Sequence, residues 1–441
     1  MADNQILDDG NVGIIKNDKR TVNGWALFDW ANSAYALVIS TAIFPIYYTS
    51  VTPDIITLGS IDFTNSSLYT FAVSISYIII ALLSPLLSGI ADYSGRKKFF
   101  LKIFTTMGSI ACIGMFFFSK ETSIWIGTIA FIVATVGFAG GIVFYDAYLP
   151  QIVTEDRYDK TSAKGFAYGY VGSVLLLVTI LAMVQMPATF GLADSGVASR
   201  IGFVMVGVWW FGFAQISFRR LPPDVRKESG NLLSKGYGEV SKVFKTLTNQ
   251  PDLKRFLAAF FFYSAGVQTI VYVATIFAED ILGFEAGELI VIVLLIQLVA
   301  IVGAYFFAFL CTKIGNKGSI VSMLIIWLVV CVVAYFAATK LQFYFMAATV
   351  GLVVGGVQSV SRSSYSKMLL NKDEDVTSYF SFYDVLYKLS IVSGTFLFAL
   401  VDAITGNMRY SVLVLASFFL VGIFLILRTN IENPRILSAK K

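Results

Sequence analysis

The sequence predicts an all-α integral membrane protein with twelve transmembrane helices in two pseudo-symmetric bundles of six. Of its 441 residues, 57% are hydrophobic and only 14% are charged, and the mean hydropathy is +0.75. A soluble globular protein has about half apolar and about a quarter charged residues. Because this excess of apolar surface needs a hydrocarbon solvent, soluble fold classes are excluded.

Twelve apolar runs are long enough to cross the ~30 Å hydrocarbon layer as helices. The first six are 24–49, 68–91, 98–119, 123–148, 164–186 and 200–218, and the second six are 254–281, 286–313, 318–338, 342–366, 377–402 and 409–428. In lipid only helices or closed barrels satisfy every backbone polar group. The runs are long and continuous, whereas barrel strands are short and alternating.

The distribution of cations predicts the orientation. With a cytoplasmic N-terminus, 28 of the 33 Lys and Arg residues fall on the cytoplasmic side, four fall on the opposite side, and Lys388 lies inside a span. The positive-inside rule therefore predicts a multi-pass protein with both termini in the cytoplasm. We expect the first helix to serve as its own targeting signal, because residues 1–20 lack the apolar core of a signal peptide.

A polar stretch divides the chain into halves. The predicted domains are an N-terminal tail 1–23, a bundle 24–218, a cytoplasmic linker 219–253, a bundle 254–428 and a C-terminal tail 429–441. Pro222 and Pro223 mark the linker. Residues 232–248 fit either a basic amphipathic helix on the membrane surface or a solvated connection.

Several chemistries are excluded by residues that the sequence lacks. It contains no histidine, and Cys112, Cys311 and Cys331 show no metal-ligand spacing. Proton coupling would therefore need Asp or Glu. No G-x-x-x-x-G-K-[ST] loop is present, so ATP drive is not expected. We predict no enzyme activity, no catalytic residues, no metal and no cofactor.

One loop motif resembles the signature of the major facilitator superfamily. The loop between the second and third spans reads G-x-x-D-x-x-G-R-K, at Gly89, Asp92, Gly95, Arg96 and Lys97. A decayed copy, Gly315-Asn316-Lys317, follows at about half the chain length, as duplicated six-helix halves predict. Physically, Gly95 reverses the chain, and Asp92 favours a neighbouring helix N-terminus. The alternative is a simple positive-inside anchor.

A narrower resemblance covers nearly the whole chain. The segments are NGWALFDWANSAY at 23–35, FYDAYLP at 144–150, GGVQSVSRS at 355–363 and FSFYD at 380–384. They resemble the vacuole-effluxer-like branch, the autophagy-related permeases and their bacterial relatives. The family often has Asn where this chain has Asp146, which adds an ionisable group. The resemblance implies efflux or uptake of amino-acid-like metabolites and, for a bacterial-type member, a place in the inner (plasma) membrane.

Charged residues inside predicted spans are costly and usually functional, and five of them are candidates for a site. They are Asp29, Asp146, Arg362, Asp384 and Lys388. In this superfamily the first, fourth, seventh and tenth spans line the cavity. We predict a cytoplasmic gate in which Asp29 and Asp146 approach Arg362 or Lys388 in one state only, with a coupling role open to the acids.

Two alternatives stay open for these charges. Asp384 and Lys388, at i and i+4, would simply neutralise each other. Arg362 and Asp146 would be interfacial residues that reach water.

Uncharged polar residues near the middle of the spans could contact a solute. The candidates for the cavity are Asn32, Ser33, Tyr35, Tyr145, Gln268, Tyr272, Gln358, Ser359, Ser361 and Tyr383. Each Ser or Tyr could equally serve helix packing. The small residues Gly137, Gly140, Gly141, Gly351, Gly355 and Gly356 are expected to let helices approach closely.

The function predicted is secondary active transport of a small polar solute, an amino acid or similar metabolite, by alternating access with proton coupling. An uncoupled facilitator, a peptide or sugar permease, a membrane enzyme and a non-transporting sensor are the alternatives. The expected partners are the solute, the lipid bilayer and protons, without nucleic acid, and the protein is expected to act as a monomer.

Overall fold

The computed structural model describes residues 15–58, 61–225, 232–369 and 375–431. Parts of both predicted tails, residues 1–14 and 432–441, therefore lie outside the described residues. The helices are α1 (Lys19–Ala34), α2 (Phe44–Val51), α3 (Asn65–Ser94), α4 (Lys97–Gly114), α5 (Ile124–Asp146), α6 (Leu149–Ile152), α7 (Tyr158–Gln185), α8 (Ser195–Arg220), α9 (Leu232–Asn249), α10 (Pro251–Leu282), α11 (Ala286–Phe336), α12 (Lys340–Met368), α13 (Val376–Thr405) and α14 (Met408–Leu427). The strands are β1 (Ile55–Leu58) and β2 (Ile61–Thr64).

Among the described residues, eleven helices are long and apolar enough to span a membrane. One of them, α11, has 51 residues and would be about 76 Å long as a straight helix, more than twice the hydrocarbon thickness. Its backbone leaves helical geometry at Gly315, where φ is 73° and ψ is 168°. Since α11 is two passes joined at this residue, the predicted twelve passes are confirmed, and their boundaries differ by only a few residues.

One compact unit, here called the N-unit, comprises Asp18–Tyr148 and Tyr168–Tyr237. Within it α4 packs against α5 and α8, and α1 packs against α8. The predicted close approach at Gly137 is confirmed, because a side chain there would collide with the backbone of Gly108 in α4. Phe44 and Phe131 stack in the core with ring centroids 5.0 Å apart.

The other compact unit, the C-unit, comprises Met1–Asn17, Leu149–Ala167 and Gly238–Lys441. Helix α11 packs against α12 and α14, and α10 packs against α13 and α14. A side chain at Gly355 would collide with the backbone of Ala300, so the predicted close approach is confirmed here too. Residues 149–167 precede the predicted linker, yet they belong to the C-unit because their side chains bond to α11 and α12.

Two features were not predicted from the sequence, and a third was one of two alternatives. The first span contains a π-helix at Tyr35–Ile43, between α1 and α2. An antiparallel hairpin of β1 and β2 pairs Ile55 with Thr64 and connects the first span to α3. In the linker, residues 232–249 are helical as α9, as one of the two alternatives predicted, and the position of this helix on a membrane surface stays a prediction.

Candidate functional site

A buried polar network in the C-unit is centred on Asp159, near the start of α7. Ser363 Oγ and Asn316 Nδ2 both donate to Asp159 Oδ1, at 2.6 and 2.7 Å. Lys367 Nζ donates to Asp159 Oδ2 at 2.6 Å and to Asn316 Oδ1 at 2.7 Å. Asn316 also donates to Ser364 Oγ at 2.9 Å. These five residues, here called the Asp159 network, join α7 to the bend of α11 and the end of α12.

The local sequence explains why these residues meet. Asn316 follows Gly315, whose non-helical backbone turns the chain between the two passes of α11. Ser363 and Ser364 lie on one turn of α12 and Lys367 lies on the next, at a spacing that puts 363 and 367 on one face. The Asp159 carboxylate thereby receives three donors, and a buried charge is tolerated only when it is paired and hydrogen-bonded in this way.

Arg362 anchors a second set of contacts one turn from this network. Its Nε donates to Ser162 Oγ and its Nη2 donates to the Ser162 carbonyl, both at 2.9 Å. Ser162 Oγ in turn donates to the Ser359 carbonyl at 2.7 Å. The guanidinium lies 4.2 Å from the ring centroid of Phe166, as a cation–π contact requires. Arg362 is 3% exposed, so the alternative in which it reaches water is wrong.

Asp384 and Lys388 pair with each other on one face of α13. Both side chains are buried, and the spacing of four residues brings them together on the helix. Mutual neutralisation, one of the alternatives drawn from the sequence, therefore describes this pair. Two opposite charges held inside a span still form a pair that a proton or an ionic solute can disrupt.

In the N-unit, Asp29 of α1 is buried beside Tyr145 of α5. The Tyr145 hydroxyl donates to Asp29 Oδ2 at 2.7 Å. The Tyr145 ring is held between Trp25 and Phe28, with centroid distances of 4.6 and 4.9 Å. One turn along α1 lies Asn32, 2% exposed, whose Oδ1 accepts no hydrogen bond within the described part of the chain. A buried acceptor without a donor is rare in proteins, and it suits a ligand that brings its own donor.

The remaining acid, Asp146, ends α5 and is also buried, so its predicted alternative of reaching water is wrong. Asp29 and Asp146 belong to the N-unit, whereas Arg362, Asp384 and Lys388 belong to the C-unit. The predicted gate contact between these two sets stays a prediction. The Asp159 network was not predicted, because Asp159 lies outside the predicted spans, between the fourth and the fifth. The polar residue Asn316 in the decayed motif was the signal available in the sequence.

The predicted cavity residues differ in how far contacts within their own unit already engage them. Some are engaged within their own unit: Tyr35 hydrogen-bonds to Thr135 at 2.6 Å, Ser361 hydrogen-bonds to Tyr263 at 2.7 Å, and Ser33 packs against Gly169. Tyr383 stacks on Phe260 with centroids 4.0 Å apart, and Ser359 supports Ser162. Gln268 is buried, Gln358 is half-buried and Tyr272 is 42% exposed. Tyr35, Ser361 and Ser33 therefore make the contacts that the packing alternative expects, and a contact of any of them with a solute stays a prediction.

The loop motif between α3 and α4 forms the predicted turn. Gly95 has φ 66° and ψ 26°, the left-handed conformation that ends α3. Lys97 Nζ donates to the Ala147 carbonyl at 3.3 Å and lies over the Tyr148 ring. Asp224 accepts from the backbone N–H groups of Lys98 and Phe99, at 2.6 and 2.9 Å. Asp224 of the linker therefore caps the N-terminus of α4, a contact that was not predicted from the sequence.

Solved structures of membrane transporters share this arrangement of helices. The Escherichia coli fucose:proton symporter FucP matches 93% of this chain and 98% of its own, with a TM-score of 0.69 at 12% identity. The human organic anion transporter MFSD10 (TETRAN) matches 92% and 99%, also with a TM-score of 0.69 at 12% identity. At these identities the likeness establishes the fold alone, which is that of a major facilitator superfamily transporter.

Sequence comparison places the chain within that superfamily. Residues 17–436 match the family described as "Vacuole effluxer Atg22 like". The "Uncharacterized MFS-type transporter YxiO" of Bacillus subtilis is 31% identical over 94% of this chain and 95% of its own length. "Autophagy-related protein 22" of Saccharomyces cerevisiae is 27% identical over 80% of this chain and 75% of its own. The chain belongs to the Atg22-like family of MFS-type transporters, and the resemblance seen in its motifs is confirmed.

Proposed function

We propose that this transporter carries a small polar solute of the amino-acid class by alternating access and that a proton gradient drives it. The observation that carries the proposal is a set of buried polar contacts, which join residues 159–166 to both α11 and α12. By chain order the first segment belongs to the first six passes, and its partners belong to the second six. Such contacts stabilise one conformational state relative to another, which is what alternating access requires.

The chemistry of these contacts suits a gate. Asp159 and Lys367 form an ion pair with side chains 11% and 16% exposed, and Asn316 and Ser363 complete it. A charged pair buried in this way is strong only while its geometry is kept, because both charges have lost their water. Opening would rehydrate all four side chains together. The hydrogen bonds and the ion pair among these four side chains are therefore expected to break together.

The N-unit supplies a different arrangement, which suits a solute. Asp29 offers a carboxylate fixed by Tyr145, and Asn32 offers a free carbonyl oxygen one turn away. A solute with an ammonium group can donate to both. The same carboxylate can bind a proton, so Asp29 is the residue we propose for coupling.

Transport into proteoliposomes tests this proposal directly. Purified protein would be reconstituted and supplied with a mixture of labelled amino acids, with and without a pH gradient. We expect uptake that exceeds that of protein-free liposomes and that rises with the gradient. Asp29→Asn should abolish the dependence on the gradient, whereas Asp194→Asn, at an exposed helix N-terminus, should not. Uptake that ignores the gradient would favour the uncoupled facilitator, and no uptake would contradict the proposal.

Charge exchanges test which residues gate. For the predicted contact, Asp146→Arg and Arg362→Asp would each abolish uptake, and the double variant would restore part of it. Asp159→Lys with Lys367→Asp provides the same test for the Asp159 network. A double variant that restores nothing would remove that pair from the gate.

Reporter fusions in bacterial cells test the topology that we propose, in which both ends of the chain lie in the cytoplasm. Reporter proteins fused to the N-terminus and to the C-terminus should both be active only on the cytoplasmic side. Opposite signals from the two fusions would contradict an even number of passes.

A further inference from the structure

Helix α9 of the linker contacts the beginning of α13 through side chains within the C-unit. From Gly238 onward α9 belongs to this unit. Its apolar side buries Val243 and Leu247, and Phe244 lies 6.0 Å from Phe382 of α13 between ring centroids. An amphipathic helix that buries one side on protein is held there by its apolar residues. This packing brings the polar edge of α9 beside Asp375, the residue that precedes α13.

Asp375 has an unusual conformation for its position. It occupies the N-cap of α13 with φ 57° and ψ 11°, and its side chain makes no capping hydrogen bond. Aspartate normally caps a helix from an extended backbone, with its carboxylate on the first N–H groups. A left-handed backbone is uncommon outside glycine, although aspartate adopts it more readily than most residues. The Asp375 carboxylate is turned instead toward α9.

The group that holds Asp375 is Lys242 of α9. Lys242 Nζ lies 2.6 Å from Asp375 Oδ2 and 3.4 Å from Glu239 Oε2, one turn earlier on the same helix. Asp375 is 10% exposed, so its charge is largely removed from water, whereas Lys242 remains 55% exposed. These three residues, here called the ionic latch, fasten the linker to the first turn of α13.

A short chain of contacts leads from the latch to the proposed site. The Tyr379 carbonyl, one turn into α13, accepts from the Tyr365 hydroxyl of α12 at 2.7 Å. The Tyr365 ring stacks on Tyr383 with centroids 4.8 Å apart. Tyr383 adjoins Asp384, and Tyr365 lies three residues beyond Arg362 on α12. These contacts link the first turns of α13 to Arg362 on α12 and to the pair of Asp384 and Lys388 on α13.

We infer that Lys242 and Asp375 are positioning residues, which hold the first turns of α13 against α9 and so set the geometry of the aromatic and charged residues that follow. The consequence for transport rests on the proposed function, whereas the latch itself is a property of the fold. The linker then does more than connect two halves: it fixes one end of a helix that carries an intramembrane ion pair.

The latch also has a pH dependence with a definite sign. Burial, together with the Asp375 carboxylate, raises the pKa of Glu239, and Lys242 opposes the shift. The groups that face Glu239 are Lys242 on its own helix and Asp375 at the start of α13; Tyr379 of α13 faces the latter two. A carboxyl whose pKa is raised in the docked state favours docking as pH falls through that pKa. The Asp375 side chain raises the pKa of Lys242, so the ammonium stays charged throughout this range.

Hydrogen–deuterium exchange of the full chain in lipid nanodiscs tests the inference without any substrate. Lys242→Ala should speed exchange in the first turns of α13 about two- to fivefold, the range expected for one ion pair of this exposure. Lys245→Ala, which removes an exposed cation from the same helix, should leave those turns unchanged. Lys242→Arg should keep wild-type exchange, and Lys242→Asp with Asp375→Lys should restore it.

Two further results would decide the inference. After correction for intrinsic exchange chemistry, the first turns of α13 should become more protected as pH falls, and Glu239→Gln should remove that dependence. Unchanged α13 exchange in Lys242→Ala, or acceleration equal in every helix, would overturn the latch. Since exchange is measured apart from uptake, absence of transport with a responsive latch would contradict the proposed function alone.

Discussion

The two glycine-containing bends, at Gly95 in the N-unit and at Gly315 in the C-unit, occupy corresponding places in the two halves and are built differently. Each is followed by a lysine that donates to the end of a distant helix. Lys98 reaches the Leu221 carbonyl after α8 at 2.8 Å, and Lys317 reaches the Leu427 carbonyl of α14 at 2.5 Å. These cation contacts with helix C-termini are what the two bends share.

The difference lies in the residue that follows each glycine. Arg96 begins α4, whose first N–H groups are capped by the remote Asp224. Asn316 instead places its amide between Asp159 and Lys367. Loss of the Arg in the second copy therefore looks like decay in the sequence, but the structure shows that an amide suits that position. The first bend fixes a helix start within its unit, and the second completes an ion pair.

Among the substitutions that test this difference between the two bends, the largest effect is expected at Asp159. Asp159→Ala should lower the free energy of unfolding by about 3 kcal/mol, because it leaves Lys367 buried without its anion. Adding Lys367→Met should recover much of the loss, since no uncompensated charge then remains. The measurement is equilibrium unfolding in mixed detergent micelles followed by circular dichroism. A double variant less stable than the single one would show that the pair does not act as described.

The second effect separates the two glycines. Gly315 combines φ 73° with ψ 168°, a region open essentially to glycine alone, so Gly315→Asn should cost about 1–3 kcal/mol. Gly95, with φ 66° and ψ 26°, is left-handed helical, which asparagine tolerates, so Gly95→Asn should cost only a few tenths of a kcal/mol. The apparent Tm of each variant in detergent compares them. Equal losses would contradict the distinction.

A smaller effect is expected at the cap of α4. Asp224→Ala should cost about 1 kcal/mol, as the loss of a helix N-cap does elsewhere. Asp156→Ala serves as the matched control, since Asp156 is 75% exposed and touches only Arg157 among the described ion pairs. The same unfolding assay applies. An Asp224 variant indistinguishable from the Asp156 variant would remove its capping role.

The smallest effects are expected at the shared lysines. Lys98→Met and Lys317→Met should each cost about 0.5 kcal/mol, because each removes one cation from a helix C-terminus. The two losses should also be equal to within error, since this is the feature that the bends have in common. A large difference between them in the unfolding assay would show that the bends differ here as well.

Much of the architecture was available from the sequence because the bilayer imposes simple rules. Span length, apolar composition and the loop pattern around Gly95 fixed the passes and the family. The partners of Arg362 and Asp159 were not available, because they depend on where α7 lies beside α12. Pairing at Asp384 and Lys388 could be read from helical spacing. The Asp375 contact could not, since a long-range carboxylate leaves no periodic pattern.

The π-helix of the first span should allow that span to lose one residue without losing its helical form. A π turn closes its hydrogen bonds from i to i+5, one residue more than an α turn, so Tyr35–Ile43 holds surplus chain. Removing one residue there, for instance Thr41, lets the segment rewind as α-helix while Asp29 and Tyr48 keep their neighbours. The same deletion in α5 would rotate everything beyond it by about 100°. The first span is therefore the one in which loss of a single codon should be survivable.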